Sequence, residues 1–290
     1  MQTGQTIVPR RSLLYMPGAN ARALEKAQAI DCDTILFDLE DAVAPSAKSQ
    51  AREQVAHALG RHQYGHRELV VRCNGLDTPW GLEDLQAFAN APVAALLFPK
   101  IESNEQINHI KEQLASCHST LPIWLMIETP LAVLNLEQFA GDPKVDCLVM
   151  GTSDLVKALR AQHTTSRHNL AYALQRCVTV ARAYHKDIVD GVHLEFRNLE
   201  SFQAACEEGR DLGFDGKTLI HPSQVAIANT VFGFSDAAIA NAQALLQAWQ
   251  QALDAGKGVA ELNGQLIESL HADDARRILA FAEAMGLRET

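Results

Sequence analysis

The sequence predicts an α/β protein whose fold is a (β/α)₈ TIM barrel followed by a C-terminal helical extension. Between residues 12 and 221, eight apolar runs of strand length alternate with longer segments of helical period. This alternation is typical of a parallel sheet wrapped by helices. No Gly-x-Gly-x-x-Gly motif follows the first run, so the main sequence signal for an open, doubly wound dinucleotide-binding sheet is missing. A closed barrel is therefore favoured.

The eight predicted strands set the order of the barrel. They lie at residues 12–16, 34–38, 69–73, 94–99, 122–127, 145–150, 188–192 and 216–220. Two intervening segments carry helix-start signals. Thr78 followed by Pro79 predicts an N-cap and a first-turn proline, and Ser103 with Gln106 three residues later predicts a capping box.

The pattern changes near residue 233, so we predict a catalytic barrel at residues 1–233 and an extension at residues 234–290. Two amphipathic helices are expected in the extension, at about residues 235–256 and 272–285, joined by a glycine-containing stretch at residues 257–268. Their apolar faces include Leu245, Leu246, Trp249 and Leu253. We expect this segment to act as a lid and assembly element.

The composition excludes several classes of protein. Lys and Arg total 25 against 35 Asp and Glu, a formal charge of −10, and no basic cluster predicts nucleic-acid binding. No apolar run reaches the roughly 18 residues of a membrane span. The six cysteines form no Cys-x-x-Cys pair, so neither a zinc site nor a disulfide framework is indicated. We expect a cytoplasmic protein with free thiols.

Polar side chains follow nearly every predicted strand. The carboxyl ends of barrel strands converge on one mouth, where the active sites of TIM barrels lie. The candidates at these ends are Asn20, Asp38, Glu40, Asp41, Arg72, Asn74, Lys100, Glu128 and Asp154. Any one of them could instead be a helix cap or a structural ion pair. As a set they predict an active site.

Glu128 and Asp154 are the predicted metal ligands. Glu128 directly ends an apolar strand, where a carboxylate is costly unless a cation meets it. Asp154 follows the adjacent strand, and two carboxylates with few other ligands suit Mg²⁺, which keeps several waters. Lys100 is a candidate for a Schiff base, but the neighbouring carboxylates at residues 38–41 should keep it protonated. We interpret His221, which precedes Pro222, as structural.

Together these segments resemble the citrate lyase β-subunit-like and malyl-CoA lyase family. The matching pieces are Arg11-Ser12 leading to Pro17-Gly18 with Asn20 and Lys26, the run from Asp38 to Val43, Val71 to Asn74, Phe98 to Glu102, Ile127 to Thr129, Gly151 with Asp154-Leu155, and Gly213 to Lys217 before Ile220 to Gln224. They occur in order over most of the chain, so the set is specific although each piece alone is weak.

The resemblance implies a role for each candidate. Glu128 and Asp154 would bind Mg²⁺. Arg72 would bind the substrate oxygens, and Asp38 and Glu40 would be catalytic residues beside it. Asp41 and Lys100 would lie in the surrounding shell that orders the metal-bound waters. The CoA ester would be bound by Arg11, Asn20 and Lys26, with Asn74 beside Arg72.

Two departures from the family pattern stand out. Ala132 replaces a glycine that usually follows the metal-binding glutamate by four residues, and we expect its methyl group beside the substrate pocket. Glu268 replaces the aspartate of the family's C-terminal segment, and it is the predicted catalytic acid. This replacement leaves the identity of the acid open.

The activity that the resemblance implies is cleavage of a 3-hydroxyacyl-CoA to acetyl-CoA and a 2-oxo acid. Citramalyl-CoA is the first candidate substrate, followed by malyl-CoA and citryl-CoA. A thioesterase acting on the same esters is an alternative, and so is a non-catalytic subunit that binds CoA or an acyl carrier. A homotrimer or hexamer is expected.

Overall fold

The structure is a computed structural model that describes residues 7–61 and 63–289. Eight parallel strands pair in sequential order, and β8 closes on β1. The strands are β1 (Ser12–Pro17), β2 (Thr34–Asp38), β3 (Glu68–Arg72), β4 (Ala95–Phe98), β5 (Ile123–Ile127), β6 (Val145–Met150), β7 (Asp187–Asp190) and β8 (Gly216–Leu219). The predicted (β/α)₈ barrel is confirmed.

Helices follow the strands and cover the outside of the barrel. They are α1 (Ala21–Lys26), α2 (Lys48–Arg61), α3 (Gly81–Phe88), α4 (Asn104–Ser116), α5 (Pro130–Phe139), α6 (Thr152–Ala158), α7 (Ala171–Ala183), α8 (Leu199–Leu212) and α9 (Val225–Val231). Apolar side chains of the helices and of the outward-facing strand positions form one continuous core between the two layers. Burial of this apolar surface is the main force that holds the helices on the barrel.

One predicted helix start is confirmed and the other is wrong. Ser103 and Gln106 form the expected capping box at the start of α4. Thr78, in contrast, does not cap a helix, because its hydroxyl donates back to the carbonyl of Gly75 at 2.7 Å. Residues 76–80 are therefore turns, and α3 begins only at Gly81.

The inside of the barrel is filled by side chains. Inward-facing residues, including Leu36, Val70, Trp124 and Val149, make a second apolar cluster within the ring of strands. Arg10 lies below this cluster, with its guanidinium 4.6 Å from the centre of a Trp124 ring and ion pairs to Glu68, Asp146 and Asp187. The amino-terminal end is thus occupied, and room for a ligand exists at the other end.

The described chain separates into two compact units, residues 10–232 and residues 233–289 with residues 7–9. The second unit contains α10 (Asp236–Asp254) and α11 (Ser269–Glu289), which is longer than expected, and a hairpin between them. Trp249 and Leu246 pack with Ile267 inside this unit, whereas Leu253 is exposed. No helix among the described residues is long and apolar enough to span a membrane.

The glycine-containing stretch that the sequence predicts between the two helices, residues 257–268, contains a β-hairpin. Its strands are β9 (Ala260–Leu262) and β10 (Gln265–Ile267). Asn263 and Gly264 join them with φ angles of 52° and 78°. A two-residue turn with both φ angles positive favours Asn-Gly, so the sequence does contain the signal for this hairpin.

Candidate active site at the carboxyl ends of the strands

A cavity of about 400 Å³ opens at the carboxyl ends of the barrel strands. Its polar lining residues include Asp38, Asp41, Arg72, Glu128 and Asp154. Its apolar lining residues include Pro17, Met126, Met150, Val192 and Ile220. A cavity lined by apolar side chains and a few charged groups is the usual form of a small-molecule site.

Arg72, the last residue of β3, is held in one orientation by Asp38. Its Nε and Nη2 atoms donate to the two Asp38 oxygens at 2.8 and 2.6 Å, and the guanidinium lies 4.7 Å from the centre of the Tyr15 ring. The same Asp38 oxygens accept from the backbone of Glu40 and Ala42. A forked, stacked arginine of this kind is rigid and suited to binding oxygen anions.

Glu40 connects Arg72 to Lys100. One oxygen of Glu40 accepts from Lys100 Nζ at 2.6 Å, and the other lies 3.0 Å from Arg72 Nη1. Burial would lower the pKa of Lys100, but the hydrogen bond and charge of Glu40, with the charges of Glu128 and Asp41, outweigh it and raise the pKa. Lys100 is therefore protonated, which argues against a Schiff-base role.

Glu128, directly after β5, is a buried and poorly compensated carboxylate. One oxygen accepts from the backbone N–H of Lys100 at 2.9 Å, and the other has no hydrogen-bond partner among the described residues. Burial, followed by the charge of Glu40, raises the pKa of Glu128 to about 7, despite the opposing charges of Lys100 and Arg72. A buried carboxylate in this state is favourable only with a nearby cation or a proton.

Asp154 approaches the same cavity from the next strand. It lies in the first turn of α6, and β5 and β6 are paired neighbours in the barrel. Its carboxylate is half-buried, lines the cavity and has no hydrogen bond or ion pair within the described part of the chain. Glu128 and Asp154 therefore present free carboxylate oxygens to one space.

These donors fit Mg²⁺. The carboxylates around the cavity outnumber the cations Arg72 and Lys100; they are Asp38, Glu40, Asp41, Glu128 and Asp154. Among residues 7–61 and 63–289, no three His, Cys, Asp or Glu side chains cluster as a complete metal site. A cation here would thus have few protein ligands, the arrangement that Mg²⁺ tolerates because it retains water and binds substrate oxygens.

The structure places three predicted binding residues in other roles or settings. The side chain of Asn74 is fully engaged with Lys48, Leu39 and Asp84, so it links loops and has no free group for a substrate. Asn20 caps α1 at the mouth of the barrel. Lys26 is exposed at the end of α1.

Arg11 and Ala132 require correction. Arg11 precedes β1, at the amino-terminal end of the barrel, and its guanidinium pairs with Asp33 through two hydrogen bonds. It is therefore at the end of the barrel opposite the cavity. Ala132 is completely buried in the core between α5 and the barrel, and its methyl group does not line the cavity.

The interpretation of His221 is confirmed, and Glu268 lies in the second unit. His221 Nδ1 accepts from the backbone of Ser223 and caps a short turn, a structural role. The Glu268 side chain is exposed, and its backbone N–H donates to His271 Nδ1 at 3.1 Å.

The sequence interpretation missed two residues that support the site, Lys48 and Tyr15. Lys48 donates to the carbonyl of Glu40, and the Tyr15 ring stacks against Arg72. Neither has a sequence signal of its own, since one resembles an ordinary helix lysine and the other a strand residue.

Comparison with known proteins identifies the family. Residues 11–222 match the HpcH/HpaI aldolase/citrate lyase family. The chain is 46% identical over 277 residues to a (3S)-malyl-CoA thioesterase of Cereibacter sphaeroides, covering 96% of both chains. It is 30% identical over 288 residues to the citrate lyase subunit beta of Escherichia coli, covering 97% of this chain and 95% of the relative.

Solved structures agree on the fold. The CitE protein of Mycobacterium tuberculosis in complex with magnesium, acetoacetate and coenzyme A superimposes with a TM-score of 0.76 at 24% identity, covering 94% of this chain and 97% of that one. A citrate lyase from Burkholderia xenovorans gives 0.83 at 20% identity, covering 98% and 94%. Because the family match covers most of the chain and the relatives align over nearly its whole length, the chain belongs to the HpcH/HpaI aldolase/citrate lyase family.

Proposed function

We propose that the protein is a Mg²⁺-dependent carbon–carbon lyase that cleaves a 3-hydroxyacyl-CoA to acetyl-CoA and a 2-oxo acid. The observation that carries the proposal is the cavity that is lined by Arg72, by Glu128 with its unpartnered oxygen and by the free carboxylate of Asp154. Family membership supports it, since citrate lyase beta subunits are among the relatives.

The proposed metal ligands are Glu128 and Asp154. Mg²⁺ bound there would act as a Lewis acid that polarises the hydroxyl and carboxylate oxygens of the acyl group. The protein's part is to supply two carboxylates that make no direct ion pair with the nearby cations. Lys100 pairs with Glu40 and Arg72 pairs with Asp38, which leaves Glu128 and Asp154 for the metal.

The cleavage itself moves one proton and one pair of electrons. The substrate hydroxyl loses its proton, the bond between C2 and C3 of the acyl chain breaks, and the electrons pass into the thioester as the enolate of acetyl-CoA. Arg72 is fixed so that its guanidinium can stabilise the negative charge as it moves between oxygens. Asp41 lines the cavity and is mostly exposed, which suits it to pass the hydroxyl proton to solvent.

We further propose that Glu268 protonates the enolate carbon in a neighbouring subunit of a homotrimer or hexamer. Support comes from its exposure on the hairpin unit, where the exposed side chains of Leu266 and Leu270 flank it. Asn20 and Lys26, near the mouth and on α1, are proposed to contact the CoA portion. Citramalyl-CoA remains the first candidate substrate, ahead of malyl-CoA and citryl-CoA.

The second candidate is hydrolysis of the same thioesters. It is favoured by one observation, the 46% identity to a (3S)-malyl-CoA thioesterase over 96% of both chains. In that reaction the same site would direct water to the thioester carbon, and the carbon skeleton of the acid would remain whole.

Product identification at early times separates the two reactions. The purified protein with Mg²⁺ is incubated with citramalyl-CoA, malyl-CoA or citryl-CoA, and products are measured by mass spectrometry. A lyase yields acetyl-CoA and a 2-oxo acid in equal amounts, whereas a thioesterase yields free CoA and the intact hydroxy acid. Free CoA without acetyl-CoA from the first turnovers would overturn the lyase proposal, and no turnover of any ester would contradict both reactions.

A further inference from the structure

We propose that Lys48 is a positioning residue that holds the loop after β2, residues 38–42, in the arrangement the reaction needs. The inference rests on the proposed function, because this loop carries Asp38 and Glu40. Lys48 is the first residue of α2 and does not line the cavity. It therefore acts through the loop and does not touch the substrate.

The contacts of Lys48 are those of a buried structural cation. Its side chain is 6% exposed, and Nζ donates at 2.7 Å to each of three acceptors: the carbonyls of Leu39 and Glu40 and the side-chain oxygen of Asn74. An ammonium group has three donors, so all of them are used. The Trp80 ring lies on another side, with its centre 5.3 Å from Nζ.

None of these direct acceptors is a carboxylate. Lys48 is thus not half of a simple ion pair. It binds the backbone of the loop through the carbonyls of Leu39 and Glu40. The carboxylates of Asp38, Glu40 and Asp84 interact with its charge over a longer distance. Removing the ammonium would leave the buried side-chain oxygen of Asn74 without a donor. The carbonyls of Leu39 and Glu40 would each keep one donor, Asn74 Nδ2 and the backbone N–H of Val43, but would lose the cation that draws them together.

A second set of hydrogen bonds holds Asn74, the side-chain partner of Lys48. Asn74 Nδ2 donates to the carbonyl of Leu39 at 2.9 Å and to Asp84 Oδ2 at 2.6 Å. Asp84 is completely buried and also accepts from Arg52 Nε at 2.7 Å. The loop after β2 is therefore tied through Lys48 and Asn74 to the loop after β3 and to α2 and α3.

The position of the loop decides the position of the two cations at the cavity. Asp38 orients Arg72 through two hydrogen bonds, and Glu40 holds Lys100 and lies beside Arg72. A shift of the loop would displace both cations. Misplacement of about 1 Å is enough to cost roughly 100-fold in rate, so a residue outside the cavity can control turnover.

A double-mutant cycle tests whether Lys48 acts through this loop. We expect Lys48→Met to lower kcat at least about tenfold with KM changed less than about threefold, because orientation and not binding is lost. Glu40→Gln should also lower kcat. The double variant should be within about twofold of Glu40→Gln alone, since both changes disable the same unit. Multiplicative losses would overturn the proposal.

Lys186→Met is the matched control. Lys186 lies just before β7, at the amino-terminal end of the barrel, and its Nζ donates to the carbonyls of Asp142 and Val145 at 3.1 and 2.6 Å. This change should lower Tm yet leave kcat within about twofold of the unsubstituted protein. An equal loss of kcat in both lysine variants would mean that Lys48 is merely structural.

Hydrogen exchange gives a readout that needs no turnover. Lys48→Met should speed amide exchange in peptides covering residues 38–44, and Lys186→Met should do so in peptides covering residues 142–147. If Lys48→Met does not fold, Lys48→Gln, which keeps a shorter donor, takes its place in both experiments. Unchanged exchange at residues 38–44 would overturn the inference. Failure of the proposed function is seen separately, as absence of product with the unsubstituted protein.

Discussion

The carboxylate of Glu128 shows how a single residue can prepare a binding site. It is 1% exposed and has one backbone hydrogen bond, and its second oxygen has no hydrogen-bond partner among the described residues. Burial of a negative charge in this state is unfavourable, so the group gains from either a proton or a divalent cation. Arg72 is the opposite case, because its charge is compensated by Asp38 and Glu40 before any substrate arrives.

The raised pKa of Glu128 predicts a pH dependence of stability in the metal-free protein. The folded-state pKa is about 7, against an ordinary value of 4.5. The protonated carboxyl therefore contributes its full share of the unfolding free energy below about pH 4.5. This contribution decreases above that pH and is lost as the pH rises through 7. The shift corresponds to about 3 kcal/mol of unfolding free energy.

Glu128→Gln, which stays neutral, isolates this contribution. Urea unfolding in EDTA should show similar stability for both proteins near pH 4.5 and a more stable variant at pH 8. Asp187, whose pKa is raised to about 6 mainly by burial, gives a slope of the same sign in both proteins and cancels in the comparison. Equal stabilities of the two proteins at pH 8 would contradict the assignment.

At the scale of the secondary-structure elements, the site depends on the close approach of two neighbouring strand ends. Gly151 follows β6, and a Cβ atom there would collide with the Cβ and Oε2 atoms of Glu128. Those atoms belong to a buried residue beside the backbone of β5, so they have little freedom to move. The glycine lets α6 begin close enough to β5 for Asp154 to share the cavity with Glu128.

Gly151→Ala should therefore displace Glu128 and lower kcat/KM at least about 100-fold, because a small misplacement of a catalytic group is costly. Gly60→Ala in α2 is the control, since a Cβ there meets no atom within 4 Å. That change should leave activity intact and raise Tm slightly, as alanine favours a helix. Steady-state kinetics and thermal unfolding of both variants provide the check, and an active Gly151→Ala protein would contradict the role of Gly151.

The elements also show what could be predicted from the sequence and what could not. All eight strands were predictable to within two residues, because each is marked by a local apolar run. Arg72 and Arg11 could also be separated from the sequence, because Arg72 lies at the end of a predicted strand whereas Arg11 precedes one. The partner of each arginine, Asp38 for Arg72 and Asp33 for Arg11, could not be predicted, because it depends on the pairing of neighbouring strands. Lys48 was missed because two of its three partners are backbone carbonyls and the third is the distant side chain of Asn74, and such contacts leave no pattern in the sequence.

On the scale of the whole molecule, the barrel and the hairpin unit are each compact, and the proposed acid lies in the second. Glutamate is one methylene longer than the aspartate that the family resemblance implies here, so a Glu268 acid would act from a backbone that lies further from the reacting carbon. We propose that Glu268 serves a neighbouring subunit. The oligomer would then be required for activity.

Mixing inactive subunits tests this proposal. Glu268→Gln and Glu128→Ala proteins should each be inactive alone, whereas a mixture that has exchanged subunits should recover part of the activity. Some sites would then combine an intact barrel with an intact hairpin. Sedimentation of the active unsubstituted protein as a monomer, or full activity of Glu268→Gln alone, would contradict the shared site.

The central claim is that Glu128 and Asp154 bind Mg²⁺ at the mouth of the barrel, and calorimetric titration with Mg²⁺ tests it most directly. The unsubstituted protein should bind one Mg²⁺ per chain at pH 8. Glu128→Ala and Asp154→Ala should lose measurable binding while keeping the barrel folded, and Glu112→Ala, an exposed change on α4, should bind normally. Unchanged Mg²⁺ affinity in Glu128→Ala would contradict the claim.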